Sequence, residues 1–319
     1  MQKIISHFFS LALFLGTTLS SYADAPHLKP GMKVQFEHVM TIGSKGSEPG
    51  QFRYIEDFAW DIDGNLLVTD PLKANVQVFN RLTGQFIAQF SSKDDEDEPL
   101  EKPEGIAVDP EGNIFVADNS SGYIKKFDKH YRYLNTFSDF GTEPGENMDA
   151  EFMDITHGLL YLADTGNNRV DVFDLEGNFK FDFGGKGSGT GQMRRPEAAK
   201  ADSQGNIWVS DLGNNRILLY SKDGQFLKQW GKEGNAKGQF RKPTGIALDQ
   251  YDNLYVGDVH NDRIQVFDKD FNFITMWGKF GRKSGEFANI HGIIVDERGY
   301  VYVADTANNR IQVFRPVIN

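Results

Sequence analysis

An aspartate closes a short apolar run six times along the chain, at Asp70, Asp118, Asp164, Asp211, Asp258 and Asp305, at intervals of 48, 46, 47, 47 and 47 residues. A repeat this regular constrains the fold strongly, because each unit must be one supersecondary element that buries its faces against copies of itself. The runs read LLVTD, IFVAD, LYLAD, IWVSD, LYVGD and VYVAD, and a polar loop and a second run such as RVDVFD or RIQVFD follow them. Each unit then adds a turn (LEGNF, KDGQF), a short strand ending in Trp-Gly or Phe-Gly, and a glycine-rich loop such as GKGSGTGQM or GKEGNAKGQF. Four short strands per unit with no helical periodicity predict a propeller blade. Six units predict an all-β, six-bladed β-propeller of four-stranded blades that occupies residues 24–319 as a single domain. A stacked solenoid, the main alternative, would want distinct polar caps on its end repeats.

The two ends of the repeat array fit a ring instead. The sixth unit stops after its third strand, Ile311 to Phe314, while the segment from Val34 to Phe52, VQFEHVMTIGSKGSEPGQF, reads like the tail of a unit and compares with FLKQWGKEGNAKGQF from Phe226 to Phe240. The N-terminal strand is expected to complete the last blade, which removes two exposed sheet edges.

Ahead of the repeats, Lys3, an apolar run from Phe8 to Leu15 and the small residues of Ser21-Tyr22-Ala23 form the three-part pattern of a secretory signal. Residues 1–23 are read as a signal peptide, cleaved after Ala23, which implies a secreted or periplasmic protein with no membrane span after cleavage. The apolar run is too short to cross a bilayer comfortably. The chain has no cysteine, so disulfides, cysteine nucleophiles and cysteine-ligated zinc are excluded. Its net charge of −11 disfavours a nucleic-acid partner, which calls for a basic surface. No P-loop, dinucleotide-binding fingerprint or G-x-S-x-G elbow occurs in a supporting context.

The recurring D-x-x-N-N-R-[IV]-x-V-F, preceded by a GQF loop and G-I-A-[VL]-D, resembles NHL repeats over essentially the whole of residues 24–319. The resemblance implies a six-bladed propeller, a fold that mostly serves as a recognition platform. A related branch, the peptidyl-α-hydroxyglycine α-amidating lyases, uses a similar propeller as a zinc-dependent enzyme. That branch would need several histidines at equivalent blade positions, and here only His291 qualifies; His157 falls in a turn on the opposite face.

Residues recurring in every blade are architectural, and departures mark where function can reside. The six aspartates are expected to cap the loops that follow them, and Arg169, Arg216, Arg263 and Arg310, each five residues later, to tie those loops to their neighbours. Asn75 and Tyr123 stand at the arginine position in the first two blades. Those two residues, with the acidic run Lys93 to Glu98 between their blades, are therefore the expected ligand-binding patch.

The innermost strand of each blade lines the axial channel. The position at its start reads Glu56, Glu104, Glu197, Thr244 and His291, with the irregular third blade offering Asp149 after a one-residue slip. Glu56, Glu104, Glu197 and His291 are the expected ligands of one divalent metal ion at the channel mouth, the only cofactor the residues imply. Flanking Lys102, Arg194, Arg195, Arg241 and Lys242 are available to neutralise the same acids. Two functions follow. The first is an exported, monomeric, non-enzymatic propeller binding a protein, peptide or glycan through its loop face. The alternative is a metal-dependent lyase or hydrolase with its site at the channel mouth.

Overall fold

The second strand of every unit is covered on both faces: Leu66–Asp70, Ile114–Asp118, Ile207–Asp211, Leu254–Asp258 and Val301–Asp305 are buried throughout, and Leu159–Asp164 is buried except at its first residue. Such strands need cover on both sides. The computed structural model, which describes residues 25–91 and 99–319, supplies it by arranging six four-stranded antiparallel sheets as the blades of a propeller. Six apolar clusters fill the six interfaces between neighbouring blades. Three single turns of 3-10 helix, Leu212–Asn214, Val259–Asn261 and Thr306–Asn308, are the helical elements among the described residues. None of these is long and apolar enough to cross a membrane. The segment read as a signal peptide, residues 1–23, and the acidic run Lys93 to Glu98 lie outside the described residues.

The ring closes as expected. Val34–Ile42 is the outermost strand of the last blade, antiparallel to Arg310–Ile318, with pairing from Val34↔Ile318 to Ile42↔Ile311 and an irregularity between His38 and Met40. The partner strand continues past Phe314 to Ile318, further than the repeat implies, because its nine-residue partner pairs along that whole extension. The Asn319 amide then donates to the Lys33 carbonyl at 3.0 Å.

The closing aspartates act on more than the loops that follow them. Each carboxylate accepts the backbone N–H of a residue 16 or 17 positions earlier, at the entry to the blade's inner strand: Arg53 to Asp70, Glu101 to Asp118, Met148 to Asp164, Arg194 to Asp211, Arg241 to Asp258 and Ala288 to Asp305. They therefore pin the incoming glycine-rich loop as well as the outgoing turn. Arg169, Arg216, Arg263 and Arg310 hold the same incoming loops by donating to their carbonyls. Where Asn75 and Tyr123 replace arginine, a lysine elsewhere in the blade substitutes. Lys73 Nζ donates to the Glu48 and Gln51 carbonyls at 3.2 and 3.1 Å, and Lys125 Nζ to the Pro99 carbonyl at 2.6 Å.

Candidate functional site: a glutamate ring at the mouth of the axial channel

In five blades the residue paired with, or leading toward, the closing aspartate opens the inner strand: Pro103↔Asp118, Ala150↔Asp164, Pro196↔Asp211, Pro243↔Asp258 and Ile290↔Asp305. The register slips directly after each of these pairs. A bulge of this kind re-aims a side chain, and the residue it carries is Glu104, Glu151, Glu197, Thr244 or His291. Glu56 takes the corresponding place in the first blade, where its amide donates to the Thr69 carbonyl at 3.1 Å.

Glycine follows the ring residue in three blades because a neighbour's carbonyl occupies the space of a side chain. A Cβ on Gly105 would lie 2.2 Å from the Glu151 carbonyl oxygen, on Gly245 2.1 Å from that of His291, and on Gly292 2.5 Å from that of Glu56. These close approaches bring the inner strands near enough for side chains of different blades to meet. Thr244 does not reach the acids as a ligand; its hydroxyl donates to the Ile290 carbonyl at 2.8 Å.

Four glutamates and one histidine remain, all largely buried. Glu56, Glu197 and His291 form one group, with one ligand atom from each lying within 4.8 Å of the others; Glu104, Asp149 and Glu151 form a second with the same property. The expected quartet is thus divided, Glu104 facing the other group. Glu151 is the member that the sequence reading missed in favour of Asp149. The hairpin after it is one residue short, so that Glu151 stands 13 residues before its aspartate where Glu104, Glu197 and His291 stand 14 before theirs. Counting from the preceding ring residue, Glu104, gives the repeat of 47 and would have found it.

His291 Nδ1 contacts Glu56 Oε1 directly, and its Nε2 lies 3.1 Å from Asn289 Nδ2 and 3.4 Å from the Tyr54 hydroxyl. Burial would lower the pKa of the imidazole, but Glu56 and then Glu197 overcome that and push it up to about 9. Burial, reinforced by Glu56, lifts Glu104 to about 7, and burial with Glu56 lifts Glu197 to about 7 against the pull of His291. Glu151 is raised furthest, by burial and by Glu197 and Glu104. Near neutral pH the ring therefore holds shared protons along with negative charge. Of the flanking cations, Lys102 reaches Glu104 at 2.5 Å and Arg195 reaches Asp149 at 3.1 Å. Asn119 Nδ2 bridges Glu104 and Asp149 at 2.7 and 3.0 Å.

A further cation, unforeseen from sequence, lies deeper. Lys200 of the fourth blade crosses the axis to Asp57 of the first, 3.5 Å away, and donates to the Met153 carbonyl at 2.8 Å. Burial raises Asp57 to about 6 while Lys200 opposes the rise. Past this bridge the channel widens into a chamber of about 250 Å³ walled largely by apolar side chains, among them Trp60, Ile106, Leu248 and Ile294. Asp154 and Lys200 add two charged side chains to this otherwise apolar wall.

Of the other expected contact residues, Tyr123 is 38% exposed on the outer part of the loop face, whereas Asn75 is only 3% exposed and donates to Gln89 at 3.3 Å. Only Tyr123 of the two presents its side chain to solvent. His157 lies in the turn between the first two strands of its blade, remote from the ring as expected.

Fold and site define a six-bladed β-propeller with an acidic mouth on its loop face. The NHL repeat model matches residues 100–127, 240–267 and 287–314. No curated protein sequence matches it. Among solved structures, virginiamycin B lyase from Staphylococcus aureus is similar in fold, with a TM-score of 0.62, 14% identity, and coverage of 89% of this chain and 99% of that one. A streptogramin B lyase aligns with a TM-score of 0.60 and 13% identity over 90% of this chain and 97% of the other. An auxiliary nutrient binding protein from Bacteroides thetaiotaomicron aligns with a TM-score of 0.64 and 13% identity over 88% and 73%. At such identities the likeness is one of fold.

Proposed function

We propose that the protein is an exported, non-enzymatic recognition propeller that binds a protein, peptide or glycan on its loop face, with the glutamate ring seating a positively charged group of the ligand. The observation that carries this reading is the ring itself, four buried carboxylates around one axis with a single imidazole among them. Burying acids together is costly, and shared protons offset that cost only in part. An entering ammonium or guanidinium displaces those protons and gains charge-assisted hydrogen bonds. Lysine and arginine side chains carry such groups, which favours a basic peptide among the three ligand classes. Both nitrogens of His291 already have partners, which suits a preorganised binding surface more than a free general base.

Calorimetric titration with a lysine-rich peptide tests this. Binding should weaken about tenfold when the lysines are acetylated, and similarly in Glu104→Gln. Tyr123→Ala should weaken binding of a protein partner while leaving the fold intact. Equal affinity for the acetylated and free peptides would end this reading.

A second reading, a metal-dependent lyase or hydrolase, is favoured by one observation: the clustering of ligand atoms from Glu56, Glu197 and His291. Two carboxylates and one imidazole form an oxygen-rich set that suits manganese or calcium better than a histidine-rich zinc centre. Two of the similar folds are named as lyases, which adds the reaction class. Elemental analysis of the purified protein, and thermal melts with EDTA and then zinc, manganese or calcium on wild type and His291→Ala, decide between the two. A stoichiometric metal lost in the variant would favour the enzyme.

A further inference from the structure

The glycine-rich loops on the ring's face are near copies, so a loop that departs from its siblings can be judged against them. Beside the seam where the last blade meets the first, a groove of about 290 Å³ is lined by Lys45, Arg282, Ala307, Asn308, Asn309 and Arg310. Three cations and no carboxylate line it, on a chain whose net charge is −11. Lys45 and Arg282 form no ion pair among the described residues. Arg282 is itself a departure, since the residue after the corresponding glycine is Ser47, Thr142, Ser188 or Asn235 in the other four described loops of this kind.

A second observation concerns Arg310. Its counterparts spend Nη1 on the carbonyl at that same loop position: Arg169 on Thr142 at 3.2 Å, Arg216 on Ser188 at 3.1 Å and Arg263 on Asn235 at 2.7 Å. Arg310 keeps the other bonds, from Nε to Asp305 at 2.7 Å and from Nη2 to the Lys283 and Glu286 carbonyls at 2.8 and 3.2 Å. Its Nη1 makes no bond to Arg282. A guanidinium held rigid through two of its three nitrogens therefore keeps one free edge in the groove, beside a second guanidinium and an ammonium. The amides of Asn308 and Asn309 are committed to Gly281 and Asp305, and to Arg53, so they serve as fixed walls.

We propose that this groove is a binding site for an anionic group, a carboxylate or a phosphate, held by the free Nη1 edge of Arg310, the guanidinium of Arg282 and the ammonium of Lys45. Planar guanidinium edges match the oxygens of either anion, and no acid is among the lining residues; the one carboxylate paired with Arg310, that of Asp305, is bonded at Nε and leaves Nη1 facing the groove. The proposal stands independently of the glutamate ring, which takes the opposite charge.

The test is calorimetric titration of the full chain with inorganic phosphate and with acetate, against a chloride background of matched ionic strength. It is repeated on Arg282→Ser, which installs the residue found at Ser47 and Ser188, and on Lys45→Gln. At least one of the two anions should bind and raise the melting temperature, and Arg282→Ser should weaken that binding about tenfold with its own melt in chloride unchanged. Phosphate binding alone identifies a phosphate site, and acetate binding a carboxylate site. No heat and no melting shift with either anion, or equal binding by Arg282→Ser, overturns the proposal.

Discussion

Glu56 of the first blade and His291 of the last are in direct contact, Oε1 against Nδ1, across the seam at which the ring closes. The pair is buried, so removing one partner leaves the other with an unpaired polar group or charge. His291→Ala should destabilise the protein by about 3 kcal/mol, and Glu56→Gln combined with His291→Gln by clearly less than the two single changes added together. Denaturant melts of wild type, His291→Ala, Glu56→Gln, His291→Gln and the double variant check this. Additive losses would mean that the contact contributes nothing as a pair.

The glycines beside the ring are expected to be intolerant. Gly245→Ala places a methyl 2.1 Å from the His291 carbonyl oxygen, a backbone atom that cannot rotate away. The inner strands of the fifth and sixth blades must separate, at a cost of about 3 kcal/mol. Gly31→Ala, which has open space around its Cβ and pays only for its positive φ, should cost about 1 kcal/mol. A comparable melting temperature for the two variants would refute the close-approach argument.

Asp171 should make stability fall with pH. It lies at the position of Gln77, Gln265 and Gln312, whose amides donate to the Gln51, Gln239 and Glu286 carbonyls at 2.9, 2.8 and 2.8 Å. Burial, and then the charge of Asp164, raise its carboxyl to about 8 despite Arg169. Unfolded, the group releases its proton near pH 4, at about the ordinary aspartate value. Between those values the native state binds more protons, so this contribution is complete at low pH and is lost as pH rises through about 8. Asp171→Gln supplies the side chain used by three other blades and should flatten the profile, adding about 2 kcal/mol at pH 9. Parallel pH profiles for wild type and variant would show that Asp171 does not titrate in this range.

Deleting residues 24–44 removes the strand Val34–Ile42 and exposes the edge of Arg310–Ile318. The truncated chain should aggregate, with a loss of stability far beyond that of trimming a free terminus. Light scattering and a thermal melt follow the outcome; a monomer with unchanged melting temperature would contradict closure by this strand.

Much of this was legible in the residues because a repeat allows six readings of one position. The blade count, the closing strand and the ring positions Glu56, Glu104, Glu197 and His291 all came from register. Glu151 did not, since a hairpin one residue shorter shifts the count from Asp164 and leaves Ala150 in its place. The departures at Asn75 and Tyr123 looked like functional marks because arginine was missing there. Lys73 and Lys125 do the same work from other positions along the strand and loop, and a linear comparison cannot see that two different side chains reach the same kind of carbonyl.

The sequence by itself determined the architecture, since periodic apolar runs that must be covered on both faces fit a ring of blades and little else. Only the tertiary structure decided the chemistry at its centre. The division of the acids into two groups, the reach of Lys200 across the axis to Asp57, and the unspent edge of Arg310 depend on distances between residues far apart in the chain. Charge, burial and proton sharing act through space, and side chains from opposite blades meet only once the ring has closed.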